Sequence, residues 1–536
     1  MPAHRLRDLP LLILAVLLVL PVLAVLGSWL SWNAQSAQIL REMAATVLPD
    51  YALTSLLLCA SVAVGVAVVG SAGAAAVTLF EFRGRRLLEW ALLLPLAMPA
   101  YVVAYAYTDF LQFSGPLQTW LRAQFGLQGR VFPEVRNTAG AAWVFIFTLY
   151  PYVYLLVRTA LSERAAQLME AARLLGAPLH ERIRRVALPL ARPAMAAGIA
   201  LALMETLADF GVASYFGIQT FSAGIYKAWL AMDNRIAAAQ LATVLLAVVA
   251  ALLALEARAQ SRLRFVAGRS RGGGMEAQPV PLKGLRLLAA WAVCALPVLM
   301  GFVLPVLFML RPLAADWSVL PWDRFLQWAG NSLRLGALSA ALAVMLALAL
   351  AFRLRRGGGG VARGVVQLAG LGYAVPGAVL VVGLLLPVGW VQQAWPQSAV
   401  GYWMTATILG IVWAYLVRFV SVALQSVQSG YARIPASLDD SARMLGAGSA
   451  ALLTRVHWPL LKRSAAAAGL LVFVDVMKEL PATLVLRPFD SDTLAVVAYQ
   501  LARDERLGEA ALPSLALVLV GLIPVVLLSR TLRGKG

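Results

Sequence analysis

The sequence predicts an all-α membrane protein: about twelve transmembrane helices, arranged as two parallel repeats of six. Three observations carry this. Of the 536 residues, 61% are hydrophobic and only 13% charged, with mean hydropathy +0.79, a balance foreign to soluble domains. Apolar runs of about 20 residues recur along the chain, the length that crosses roughly 30 Å of hydrocarbon as helix. They are too long and continuous for barrel strands, so their backbone groups must be satisfied within helices. Finally, the chain repeats itself. EAARLLGAPLHERIRRVALP at 170–189 returns 270 residues later as DSARMLGAGSAALLTRVHWP at 440–459.

In chain order, Arg5 and Arg7 precede an apolar run over 9–32. That run is longer than a signal-peptide core and lacks a clear small-residue cleavage site, so it reads as a retained first span. A polar segment leads to the second span, 51–80, which closes on the basic turn EFRGRR at 81–86. Such a turn faces the cytoplasm. The third span, 87–111, carries Pro95 and Pro99, which interrupt helical hydrogen bonding unless neighbours repair it. An outside loop over 112–136, a fourth span over 139–161, and the fifth and sixth over 192–217 and 237–255 complete a first domain, 1–255.

Residues 256–286 are basic, glycine-rich and proline-bearing, as expected of a flexible cytoplasmic linker with its boundary at 272–274. The second domain, 287–536, repeats the plan with spans at 287–310, 331–352, 365–390, 402–424, 465–486 and 512–528. RLRRGGGGVARG at 353–364 is the second basic turn. Thr54-Ser55-Leu56 corresponds to Asn331-Ser332-Leu333, and Pro99 to Pro376, at a shared offset of 277. With an even number of spans both termini share a side with the basic turns, the repeated charged stretches and the linker, and that side is the cytoplasm. Halves of equal orientation are related by an axis along the membrane normal.

Each charged repeat reads as an elbow: a short helix, a glycine break and a second helix stopped by proline. Glu170 lies near a helix start, where a carboxylate meets the positive end of the dipole. Gly176 permits a turn that a side chain hinders, and Pro189 lacks the N–H that an interior helix needs. An elbow that only joins two spans explains one copy, but filler has no reason to recur in register.

In the first copy, E-A-A, three residues, G, nine residues and V-A-L-P resemble the EAA loop of permease subunits of bacterial ABC importers. The second copy departs from that pattern, with Asp440 for glutamate, Ser441 for alanine and Trp458 before Pro459. The resemblance spans essentially the whole chain and is similar to the fused permeases of iron(III) import systems. It implies a non-catalytic, multi-pass subunit of the bacterial inner membrane. Glu170, Ala171, Ala172, Gly176 and Pro189, with Asp440, Ala442, Gly446 and Pro459, would plug into a cytoplasmic ATPase and transmit its closure. The implied partners are that ATPase in two copies, a soluble substrate-binding protein and the lipid bilayer. Fused halves make a permease homodimer unnecessary. Ferric iron is the implied cargo; thiamine, phosphonate and sulfate permeases are similar alternatives.

The chain lacks G-x-x-x-x-G-K-[ST], H-E-x-x-H, G-x-S-x-G and any plausible triad. No cofactor is expected on it; ATP and Mg belong to the partner ATPase. The net charge of +19 does not mark nucleic acid, because Lys and Arg cluster at the ends of apolar runs. Cys59 and Cys294 lack metal-ligand spacing. His4, His180 and His457 do not match between repeats and read as incidental.

The remaining candidates are the acids inside spans five and eleven. Glu205 and Asp209 lie four apart, as do Asp475 and Glu479 at the same offset of 270. Four apart on one helix means one face. A carboxylate at bilayer depth costs at least about 2.5 kcal/mol, so it faces the bundle interior or a water-filled path. Two readings stay open: a translocation path, or neutralisation of a cation such as Lys478. A hard trivalent cation prefers oxygen ligands, which adds Tyr101, Tyr105 and Tyr107, residues that otherwise suit an interfacial belt. A gradient-driven secondary transporter is the rival class, but it has no need of two matched cytoplasmic elbows. A membrane enzyme or scaffold is disfavoured by the missing catalytic constellation.

Overall fold

The computed structural model describes residues 2–31, 34–162, 166–267, 279–318, 320–357 and 359–533. They are almost entirely helical, as the composition requires, with one pair of two-residue strands. Among the described residues, ten helices are long and apolar enough to cross a membrane, from Ile13–Leu30 to Leu507–Leu527. An eleventh candidate is the pair Arg85–Ala97 and Ala100–Phe125, bent by 91°. The expected third span is therefore broken. Its prolines are the cause: the 3₁₀ turn Leu94–Ala97 contains Pro95, and Pro99 (φ −61°, ψ 139°) starts Ala100–Leu111 from an extended conformation. The second half breaks alike, with Pro376 (φ −58°, ψ 143°) before Gly377–Ala394. The twelfth helix, Trp458–Lys478, is 21 residues long. Lys462, Arg463, Asp475 and Lys478 keep it outside the apolar set.

Two compact units emerge, and their limits differ from the repeat boundaries expected near 255 and 287. The first comprises Met1–Leu40, Ile225–Leu246 and Pro321–Val497; the second comprises Arg41–Gly224, Ala247–Leu320 and Ala498–Gly536. In the first, Trp322–Arg355, Ile408–Tyr431 and Trp458–Lys478 pack on one another, and Pro2–Gly27 lies against Gly377–Ala394. A Cβ on Gly383 would sit 2.2 Å from the Pro21 carbonyl oxygen, so the close approach depends on glycine. In the second unit, Leu48–Leu79, Thr138–Ala160 and Leu188–Ala208 form the centre, and Leu285–Val298 packs on Leu48–Leu79. Each half thus lends its first span to the unit built around the other half's centre. Covalent repetition fixes which helices exist, whereas surface complementarity fixes which of them share a core.

The linker is only partly as expected. Helix Arg235–Ala267 runs well into it, and its expected boundary at 272–274 lies outside the described residues. Its far end is tied down: Phe80–Glu81 and Val280–Pro281 pair as parallel strands, Leu282 N donates to Glu81 O at 2.9 Å, and Trp291 Nε1 to Arg83 O at 3.0 Å. The basic turn supplies carbonyls that need donors, and the linker fills that need.

Candidate coupling site and intramembrane acids

The first elbow is the helix Ala166–Leu174, a glycine turn and the helix Leu179–Arg182; the second is Ala436–Met444, a glycine turn and Ser449–Ala451. Gly176 and Gly446 adopt φ +79° and +81°. Gly176 N donates to Arg173 O (3.0 Å) and Ala177 N to Ala172 O (3.0 Å); Gly446 N and Ala447 N do the same to Arg443 O and Ala442 O at 2.9 Å each. This pairing satisfies the last carbonyls of a helix and needs a left-handed residue at the glycine position.

The prolines do not stop the second helices. In both copies a π turn, Ile183–Ala187 or Leu452–His457, carries the chain into a long helix, Leu188–Ala208 or Trp458–Lys478, whose first residues include Pro189 or Pro459. A missing N–H is tolerated at a helix start, and the wider π turn resets the bonding register just before it. Each elbow is thereby continuous with a membrane helix, the connection that transmission of a push requires.

The exposed surfaces agree position by position from 171 to 178 and from 441 to 448. Leu174 and Leu175 are 73% and 88% exposed, and Met444 and Leu445 are 88% and 89% exposed. Glu170, half-buried, pairs with Arg173 at 3.4 Å; Asp440, exposed, pairs with Arg443 at 3.7 Å. Ala171 is exposed, whereas Ala172 and Ala442 are half-buried.

Beneath this common surface the seats differ. At the first elbow Leu161, Met169 and Ala187 are buried. The same positions at the second elbow are Tyr431, Asp439 and His457, also buried. His457 Nε2 lies 2.9 Å from Asp439 Oδ1 and its Nδ1 lies 3.3 Å from the Tyr431 hydroxyl. Arg355 donates from Nε to Asp439 Oδ2 at 2.8 Å and from an Nη to the Tyr431 carbonyl at 3.3 Å. Burial opposes the Asp439 charge, but hydrogen bonds from Arg355 and His457, and their charges, outweigh it and hold the carboxyl below its ordinary value. His457 is therefore not incidental. The signal that would have found it is the replacement of three apolar seat positions by polar ones at a single offset.

The intramembrane acids also correct the sequence reading. Helix Leu188–Ala208 ends before Asp209, and Trp458–Lys478 before Glu479, and both acids take extended conformations (ψ 131° and 122°). The members of each pair do not share a helical face. Asp209 and Glu479 instead cap short helices that follow, Gly211–Phe216 and Pro481–Leu486. Asp209 Oδ1 accepts from Val212 N at 2.8 Å. Glu479 is far more engaged: its oxygens accept from Ala482 N and Thr483 N at 3.0 Å each, from Thr483 Oγ1 at 2.7 Å and from Arg418 at 3.2 Å. Its cation is Arg418, not the adjacent Lys478. At the first half's equivalent of Arg418 stands Thr148. Glu205, Asp209 and Asp475 are half-buried, whereas Glu479 is buried. Tyr101, Tyr105 and Tyr107 are core residues rather than an interfacial belt, and Tyr107 donates to Met300 O at 2.7 Å.

Comparison with known proteins agrees with this geometry. Residues 67–263, which include the first elbow, match the family model of the binding-protein-dependent transport system inner membrane component. The chain is 24% identical to the Fe(3+)-transport system permease protein FbpB 2 of Haemophilus influenzae, over 89% of this chain and 88% of that protein. It is 23% identical to the ferric transport system permease protein FbpB of Actinobacillus pleuropneumoniae, over 77% of this chain and 61% of that one. The sulfate transport system permease protein CysT of Salmonella typhimurium is 33% identical, but over only 25% of this chain and 46% of its own. With membrane helices along the chain and a duplicated elbow, residues 67–263 carry the model of the binding-protein-dependent transport system inner membrane component, and most of the chain is similar to ferric transport permeases.

Proposed function

We propose that this chain is the membrane subunit of an ATP-driven importer of ferric iron, receiving cargo from a soluble binding protein and passing it to the cytoplasm. The observation that carries the coupling part is the twin elbow: two apolar tips, Leu174-Leu175 and Met444-Leu445, exposed at matching positions where each elbow's first helix meets its glycine turn, with the helix after that turn running on into a membrane span. Exposed leucines on otherwise polar turns mark a contact surface. A cytoplasmic ATPase subunit, two copies per chain, is the partner they fit, with Glu170 and Asp440 beside the tips. Both termini are cytoplasmic in this reading. Cargo identity rests on the two ferric permeases, whose similarity runs through most of the chain, whereas the sulfate permease covers a quarter of it. Glu205, Asp209 and Asp475 line the path, as oxygen donors suited to a hard cation. Glu479 has its oxygens committed and anchors the loop.

The test is reconstitution with the co-purified ATPase and a ferric-loaded binding protein. Gly176→Trp with Gly446→Trp is expected to lower iron uptake at least tenfold while hydrolysis continues. Unchanged uptake would remove the elbows from coupling; wild-type protein that moves sulfate and no iron would overturn the cargo.

A further inference from the structure

The seat of the second elbow joins four elements at one buried point. Arg355 ends helix Trp322–Arg355, Tyr431 ends Ile408–Tyr431, Asp439 lies in the elbow helix Ala436–Met444, and His457 closes the π turn Leu452–His457. The Phe352 ring meets His457 edge-on at 5.6 Å, and the Tyr431 ring does so at 5.2 Å. At the equivalent positions the first half carries half-buried Thr78 and buried Leu161, Met169 and Ala187. An apolar seat therefore suffices for this backbone. Burying an ion pair where an apolar set fits brings no general gain in stability. What it does bring is direction: apolar packing tolerates sliding, whereas hydrogen bonds weaken steeply off axis.

We propose that Arg355, Tyr431, Asp439 and His457 are positioning residues that fix the angle between the second elbow and its membrane helix. The second ATPase contact then transmits closure rigidly, while the first, on its apolar seat, adjusts to the moving partner. This rests on the reading of the elbows as ATPase contacts. The unequal seats give the two contacts unequal duties, although their exposed surfaces match.

The experiment uses the full chain, its co-purified ATPase and ferric-loaded binding protein in proteoliposomes, and reads iron moved per ATP hydrolysed. Asp439→Asn and His457→Ala are expected to keep the ATPase bound and hydrolysing but to lower that ratio at least fivefold. His457→Gln, which keeps an N–H for Asp439, should recover at least half of it. Because Asp439→Asn leaves Arg355 without its carboxylate and risks misfolding, a fourfold variant carries the first half's residues: Arg355→Thr, Tyr431→Leu, Asp439→Met and His457→Ala. It should fold and bind the ATPase yet remain at least threefold less coupled. A fourfold variant that couples like wild type overturns the proposal, as do single variants that lose thermal stability with the ratio unchanged. If Gly446→Trp is also without effect on the ratio, the coupling reading itself has failed, which is a different outcome.

Discussion

The two elbows present the same surface and stand on opposite chemistries. Over eight consecutive positions their exposure agrees, and their glycine turns agree to within 2° in φ. Below, one rests on Leu161, Met169 and Ala187 and the other on Tyr431, Asp439 and His457. The capping acids deeper in the chain repeat the contrast: Asp209 makes a backbone hydrogen bond where Glu479 makes several bonds and an ion pair. Within this duplicated chain the exposed faces of the elbows agree, whereas the packing beneath them is apolar in the first half and polar and directional in the second.

Shape-preserving substitutions at the seats separate the two chemistries most strongly. Asp439→Asn removes one partner from a buried ion pair, and about 3–5 kcal/mol of stability should go with it. Met169→Leu conserves volume on the apolar seat, and its cost should stay below about 1.5 kcal/mol. Denaturation of the purified protein measures both; equal losses would mean that the seats differ in composition only. A smaller contrast is expected at the caps. Glu479→Gln turns an amide toward backbone donors and strips Arg418 of its charge partner, for roughly 3 kcal/mol. Asp209→Asn keeps an oxygen for Val212 N, since the two residues cap about equally well, and should change stability by less than about 1 kcal/mol.

Acid should also act on one elbow and spare the other's seat. The Asp439 carboxyl titrates below its ordinary value when folded, so its stabilisation is complete above the usual carboxylate range and disappears as pH falls through the lowered value. The groups facing it are Arg355, His457 and, across the ring, Tyr431. Hydrogen-exchange protection over Ala436–Met444 should fall toward acid pH before that over Ala166–Leu174, whose equivalent residue is Met169. Parallel loss in both would break the comparison. The smallest effect is a predicted identity: Gly176→Ala and Gly446→Ala each place a side chain at φ near +80° with open space around it, for about 1 kcal/mol of strain apiece.

Much of the functional frame was legible in the residues. The span lengths, the elbows, the glycine turns and the paired prolines all follow from local rules that a single helix obeys by itself. The exposed surface of the elbows belongs to this class, since exposed tips and a helix cap need no distant partner. Other readings failed for a common reason. Asp209 and Glu479 look helical by spacing, but the chain bends away before them so that they can cap the next helix. Pro189 and Pro459 look like stops, but a π turn upstream accommodates them. His457 looks isolated, because its partners lie 18, 26 and more residues away.

Sequence alone determined that the chain is a duplicated helical membrane protein with two matched elbows, because hydrophobic periods, glycine and proline act within a few residues. Only the tertiary structure decided that each half lends its first span to the other half's centre, that Glu479 pairs with Arg418, and that the second elbow sits on Arg355, Asp439 and His457. Those choices depend on which surfaces and charges meet between residues 18 or more positions apart. A buried charge takes as partner the group that the packing brings to it, which no local pattern specifies.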